Sequence, residues 1–120
     1  MKREAIFEYV KKQYSTEPEY LWMKWPEYAV LRHADNNKWY AIIMNVSRAT
    51  LGLDGDSDEV IDILDVKCDS TAIDFFRQMD GFLPAYHMSK TNWITILLDG
   101  SVADEKIKDF IDASFQMTAR

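Results

Sequence analysis

The chain has 120 residues, 48% apolar and 28% charged, a balance that supports one hydrophobic core without a metal or disulfide staple and excludes a disordered polymer. Twenty acids against fourteen bases leave a net charge of -6, so nucleic acid and anionic lipid are repelled on average and need a local basic face to bind. Cys68 is the only cysteine, which excludes an internal disulfide and suits a reducing compartment.

Residues 2–14 are expected to form a helix. Ala5, Ile6, Tyr9, Val10 and Tyr14 recur at helical spacing, and Lys2, Arg3, Glu8, Lys11 and Lys12 occupy the other face. Ser15-Thr16-Glu17-Pro18 ends it, because proline disfavours helix in the residue before it. No uninterrupted apolar run follows Met1, so no secretory signal is expected, and no stretch is long enough to span a bilayer. The expected location is the cytoplasm. Residues 21–26 read as an aromatic connector carrying Trp22 and Trp25.

Tyr28 to Ala34 and Lys38 to Val46 read as two strands, with Asp35-Asn36-Asn37 as the hairpin turn. Alternation puts Trp39, Ala41 and Ile43 on one face of the second strand and Tyr40, Ile42 and Met44 on the other. Apolar residues on both faces predict a central strand covered on two sides. Residues 51–59 read as an acidic loop and 60–68 as a third strand. A short helix capped by Asp69, with Ala72, Phe75, Phe76 and Met79 inward and Gly81 at its end, is expected next. Trp93 to Leu98 form the fourth strand of this reading. A last helix follows: Ser101 and Asp104 have capping-box spacing, and Val102, Ile107, Phe110, Ile111, Ser114 and Phe115 share a face. The pattern predicts a single α+β domain over residues 1–120, with an antiparallel sheet of about four to six strands packed against N- and C-terminal helices.

Catalytic and metal motifs find little support. In the run Asp54-Gly55-Asp56-Ser57-Asp58-Glu59 the acids match the first ligands of a calcium loop, but Glu59 stands where a glycine is needed and Asp65 where a bidentate glutamate is needed. A solvated turn is the better account. His33 and His87 are far apart and lack a short-spaced partner, so no metal and no cofactor is expected. Cys68 closes an apolar strand and reads as a buried thiol. His87 acting as a base oriented by Asp99 is the one enzymatic arrangement to consider, and no nucleophile accompanies it. No catalytic residue is assigned.

The segment from Gly81 to Leu98 contains no Asp or Glu, although acids are one residue in six of the chain. It carries Tyr86, His87, Ser89, Lys90, Thr91, Asn92 and Trp93, residue types that contact phosphates and stack on planar rings. Tyr86, Met88 and Trp93 also suit a plain core role beside a loop.

The motif Pro84-Ala85-Tyr86-His87-Met88-Ser89-Lys90, followed by Trp93, Thr95 and Asp99-Gly100-Ser101, resembles the signature of the MmcQ/YjbR family. Lys38-Trp39-Tyr40-Ala41 and Val66-Lys67-Cys68-Asp69 are similar to its upstream blocks. The resemblance implies a frataxin-like (CyaY-like) fold in a double-wing arrangement and a non-enzymatic DNA-binding role in a bacterial protein. A link to drug or stress resistance belongs to the alternative, a module for a small planar molecule or partner protein. Carried over by position, the site comprises Lys67, Tyr86, His87, Lys90 and Trp93, to which Asn92 is added as an amide donor. Relatives often read Asn-Lys-Arg-His-Trp where this chain has Ser89-Lys90-Thr91-Asn92-Trp93, one cation and one histidine fewer. Frataxin-type iron binding is not carried over, because helix 2–14 holds more bases than acids.

Overall fold

The structure, a computed structural model, describes residues 1–119. Its elements in chain order are α1 (Arg3–Tyr14), β1 (Ala29–Arg32), β2 (Trp39–Ser47), α2 (Arg48–Leu51), β3 (Val60–Lys67), α3 (Ile73–Phe76), β4 (Phe82–Pro84), β5 (Trp93–Leu97) and α4 (Asp104–Thr118). The five strands form one antiparallel sheet in the order β1-β2-β3-β5-β4. The α+β class and the flanking helices follow the sequence reading.

Two apolar layers hold the sheet between them. Ile6 and Val10 of α1 and Ile107 and Ile111 of α4 pack on one face, against Leu31, Ile43, Leu64, Ile94 and Ile96. Val30, Ile42, Met44, Ile63 and Leu97 face the other way, beneath Trp22, Trp39, Tyr86 and Met88. That second face is roofed by irregular chain, namely the connector 17–27 and the loop after β4. Irregular cover leaves room for hollows that helices would fill.

The hairpin turn forms as predicted, with Asn37 taking the left-handed φ of 62° that asparagine tolerates. β2 departs from simple alternation. Leu31 pairs with Ala41 but Arg32 pairs with Trp39, leaving Tyr40 as the extra residue of a β-bulge. The bulge moves Trp39 to the roofed face with Ile42 and Met44, and puts Tyr40 beside Ala41 and Ile43 under the helices, the reverse of the predicted faces for Trp39 and Tyr40. Ser114 of α4 fills the gap: its hydroxyl donates to the Tyr40 carbonyl at 2.6 Å and accepts the Lys67 amide at 2.9 Å.

Other expectations are corrected. Arg3 is not on the solvent face of α1; it is buried and makes a bidentate pair with Asp62 at 2.8 and 2.9 Å while donating to the Glu27 carbonyl. Ala5 is exposed instead. The capping box on α4 does not form, because the Ser101 hydroxyl is taken by Asp99 and the N-cap is Ala103. Asp69 caps a turn through Thr71 rather than α3 itself, and Phe75 is 66% exposed. The acidic loop begins with the single turn α2, capped by Ser47. β4, three residues long, had no separate place in the chain-order reading.

His33 is a core residue, bonded through Nε2 to the Thr118 hydroxyl at 2.8 Å and packed 4.1 Å from Phe115. Gly81 has a φ of 89°, and a Cβ there would lie 2.5 Å from Val102 Cγ2 and 3.0 Å from Ser101 Cβ. Gly81→Ala is therefore expected to cost at least about 2 kcal/mol, from left-handed strain plus the clash. A urea midpoint unchanged from the parent would show that the Ser101–Val102 turn can shift to admit the methyl.

Candidate functional site

β4 ends at Pro84 and the chain turns back over the sheet before entering β5. Buried Ala85 anchors the turn. The Tyr86 amide donates to the Thr95 hydroxyl oxygen at 2.9 Å, and that hydroxyl donates in turn to Asp65 Oδ1 at 2.5 Å. His87 follows with a φ of 65°, a conformation that costs a non-glycine residue of the order of 1 kcal/mol. Its ring lies 4.0 Å from that of Tyr86. The loop is closed by the Asn92 and Trp93 amides on the Ser89 carbonyl and by the Cys68 amide on the Asn92 carbonyl.

On one side of this loop lies a cavity of about 280 Å³, near the lower edge of the range for small-molecule sites. Trp22, Trp25, Tyr28 and Trp39 wall it, Ile42 and Met44 of β2 form its floor, and His87 and Met88 close the loop side. Trp22 stands at 90° to Trp39 and at 77° to Tyr28, with centroids 5.8 and 6.1 Å apart. Trp25 lies nearly parallel to Tyr28, at 14°, and carries the Lys24 ammonium 5.2 Å from its ring. The edge-to-face contacts stiffen the walls. Among the described residues no Asp, Glu, Lys or Arg lines the cavity. Burial, and then the nearby Tyr86, raise the Tyr28 phenol above its ordinary pKa.

A second, more open hollow on the other side of the loop is lined by Thr50, Leu51, Leu83, Tyr86, His87 and Lys90. Under the loop sits Asp65, fully buried in β3. Its Oδ2 has no hydrogen-bond partner among the described residues. Burial pushes this carboxyl up to about 7, against the Thr95 hydrogen bond and the charge of Lys90, which lower it. The loss of hydration outweighs both.

The predicted residues divide. Tyr86, His87 and Lys90 share the second hollow, and His87 also reaches the tryptophan cavity. Lys67 borders a separate hollow against α4, with Cys68, Phe76, Lys106 and Phe110. Trp93 is half-buried opposite Lys67 in the ladder, and Asn92 is exposed. The cations do not gather with them: Arg32 is paired with Glu19, and Arg3 is buried against Asp62. Asp99, the candidate partner for His87, accepts from Ser101 and feels Arg48. Among the described residues no group of three His, Cys, Asp or Glu could hold a metal, and no helix is long and apolar enough to cross a membrane.

The sequence reading missed Tyr28, Trp39, Ile42 and Met44 as lining residues, together with Asp65. A carboxylate inside the run Ile63-Leu64-Asp65-Val66 is the signal that could have found the last.

Comparison with known proteins decides the lineage. The family profile described as YjbR matches residues 11–117. The chain belongs to the YjbR family. Within the family it is 47% identical to the protein YyaQ of Bacillus subtilis over 116 residues, 97% of each chain. It is 40% identical to YjbR of Escherichia coli over a 40-residue stretch, about a third of each. A crystal structure of a Pseudomonas syringae protein superposes with a TM-score of 0.95 at 40% identity, covering 99% of this chain and 100% of that one. A Deinococcus radiodurans protein, 19% identical, shares the YjbR fold with a TM-score of 0.71 over 95% of this chain and 75% of its own.

Proposed function

We propose that this YjbR-family chain is a binding module without catalysis of its own, and that it takes a small planar molecule into the tryptophan-walled cavity. The observation that carries the reading is the cavity itself: four aromatic rings around about 280 Å³, apolar in floor and walls. Water in such a space finds few hydrogen-bonding partners, so a flat ring that displaces it gains stacking at little polar cost. Against an enzymatic role, His87 meets an aromatic ring rather than an orienting carboxylate.

Planar heteroaromatics such as quinoline are expected to raise the melting temperature of the full chain. Trp39→Ala is expected to weaken such binding about tenfold or more, since base–aromatic stacking is worth about 1–3 kcal/mol per ring. If no member of a panel of one- to three-ring heteroaromatics shifts the transition, the reading fails.

DNA is the second reading. It is favoured by Lys24 and Lys90, neither of which has a carboxylate within ion-pair distance among the described residues, beside exposed Trp25 and His87. On that reading affinity falls steeply with salt, and Lys90→Ala lowers the slope by about one. Absence of binding at about 50 mM salt would remove it.

A further inference from the structure

Resting on the planar-ligand reading, we propose that the cavity selects a planar cation, such as an N-alkylated heteroaromatic ring, with Asp65 as the buried counter-charge that sets the preference. Asp65 is the direct ladder partner of Ile42, the floor residue. Strand alternation puts both on the roofed face, where cross-strand neighbours stand about 5 Å apart at Cβ. The carboxyl is therefore just beside the cavity floor, out of water, with no hydrogen-bond partner for Oδ2 among the described residues. Its other oxygen is fixed by Thr95, the residue that also holds the Tyr86 amide and so the loop closing the cavity.

The walls favour the same ligand. Tryptophan has the strongest cation-binding ring face of the aromatic side chains, and among the described residues no Lys or Arg lines the space to compete inside it. The chain's net charge of -6 draws cations toward it and disfavours an anionic ligand.

The charges that oppose the proposal are few. β2 and β5 present Ile42, Met44 and Thr95 to Asp65, none of them charged. The loop presents Lys90, which is exposed and acts on the carboxyl less than burial or Thr95 does. Lys67 lies two positions along β3, Lys24 sits on Trp25, and His87 stands at the loop edge of the cavity. A desolvated cation inside the cavity faces Asp65 through less solvent than Lys90 does. Binding then favours the carboxylate and sends the Asp65 proton to buffer: the neutral acid plus the cation gives the ion pair plus one proton.

The test is calorimetric titration of the full chain, near neutral pH, with N-methylquinolinium and with quinoline. Two buffers of different ionisation enthalpy count the protons exchanged, and a His87→Gln background removes the imidazole's own proton. The cation is expected to bind about tenfold more tightly than quinoline and to release a fraction of a proton that quinoline does not. Asp65→Asn should cut the preference to under about threefold and abolish the release. Equal affinities, or proton release that persists in Asp65→Asn, would overturn the proposal while quinoline binding leaves the planar-ligand reading standing. If neither probe binds, both fall.

Discussion

Asp65→Asn is expected to remove a fall in stability that the parent shows as pH rises from about 4 to about 7. Folded, this carboxyl keeps its proton up to about pH 7, because burial penalises the charge more than Thr95 and Lys90 relieve it. Unfolded, it loses the proton near about pH 4. Between those values the folded chain holds a proton that the unfolded chain lacks, so the group's contribution declines as pH rises and is constant above the window. Three pKa units correspond to a ceiling of about 4 kcal/mol. The other shifted carboxyls, Glu19, Asp69 and Asp99, move downward, by hydrogen bonds to Arg32, Thr71 and Ser101 respectively, the last against burial. Their stabilisation is present above the ordinary carboxylate range and is lost as pH falls through it, so it overlaps the Asp65 window only at the acid end, below about pH 5. Urea titrations of both proteins across pH isolate the difference. Parallel curves from about pH 4 to 7 would mean that Asp65 is ionised throughout.

Ser114→Ala is expected to cost about 2–4 kcal/mol although it deletes one oxygen. That hydroxyl alone bridges the bulge, donating to the Tyr40 carbonyl and accepting from the Lys67 amide, in a site with no exposure. Alanine leaves both backbone groups buried without partners, each costing about 1–3 kcal/mol, reduced by whatever relaxation the bulge permits. Urea midpoints read at unchanged slope give the number. A loss below about 0.5 kcal/mol would mean that a water takes the place of the hydroxyl.

The helices were legible because their patterns are long: Ile107, Ile111 and Ser114 repeat at helical spacing and all three are buried. The hairpin was legible because Asn37 can take a left-handed turn. What stayed hidden depends on partners far along the chain. Nothing local marks Tyr40 as an extra residue, since the bulge is stabilised by Ser114, 74 positions away. Arg3 looks like solvent-facing charge until Asp62, 59 positions on, is placed beside it. Ser101 matches a cap by spacing, but the Asp99-Gly100-Ser101 turn claims it first.

The site divides in the same way. The loop holding Tyr86, His87 and Lys90 announces itself by lacking acids. The cavity beside it joins Trp22 and Trp25 to Trp39 and His87, residues brought together only when the connector folds across β2. Asp65, read locally, occupies a failed calcium-ligand position. Its meaning appears only from the sheet, where it lies between Ile42 and Thr95.

The two borders of the sheet carry a consequence for assembly. On the β1 side, Glu19 exchanges a pair of main-chain hydrogen bonds with Val30 at 2.8 and 3.0 Å and occupies the middle of that strand's outer rim. On the opposite side β4 offers three residues and ends in Pro84, which has no amide hydrogen to give. Both rims are therefore poor templates on which a foreign strand could lengthen the sheet.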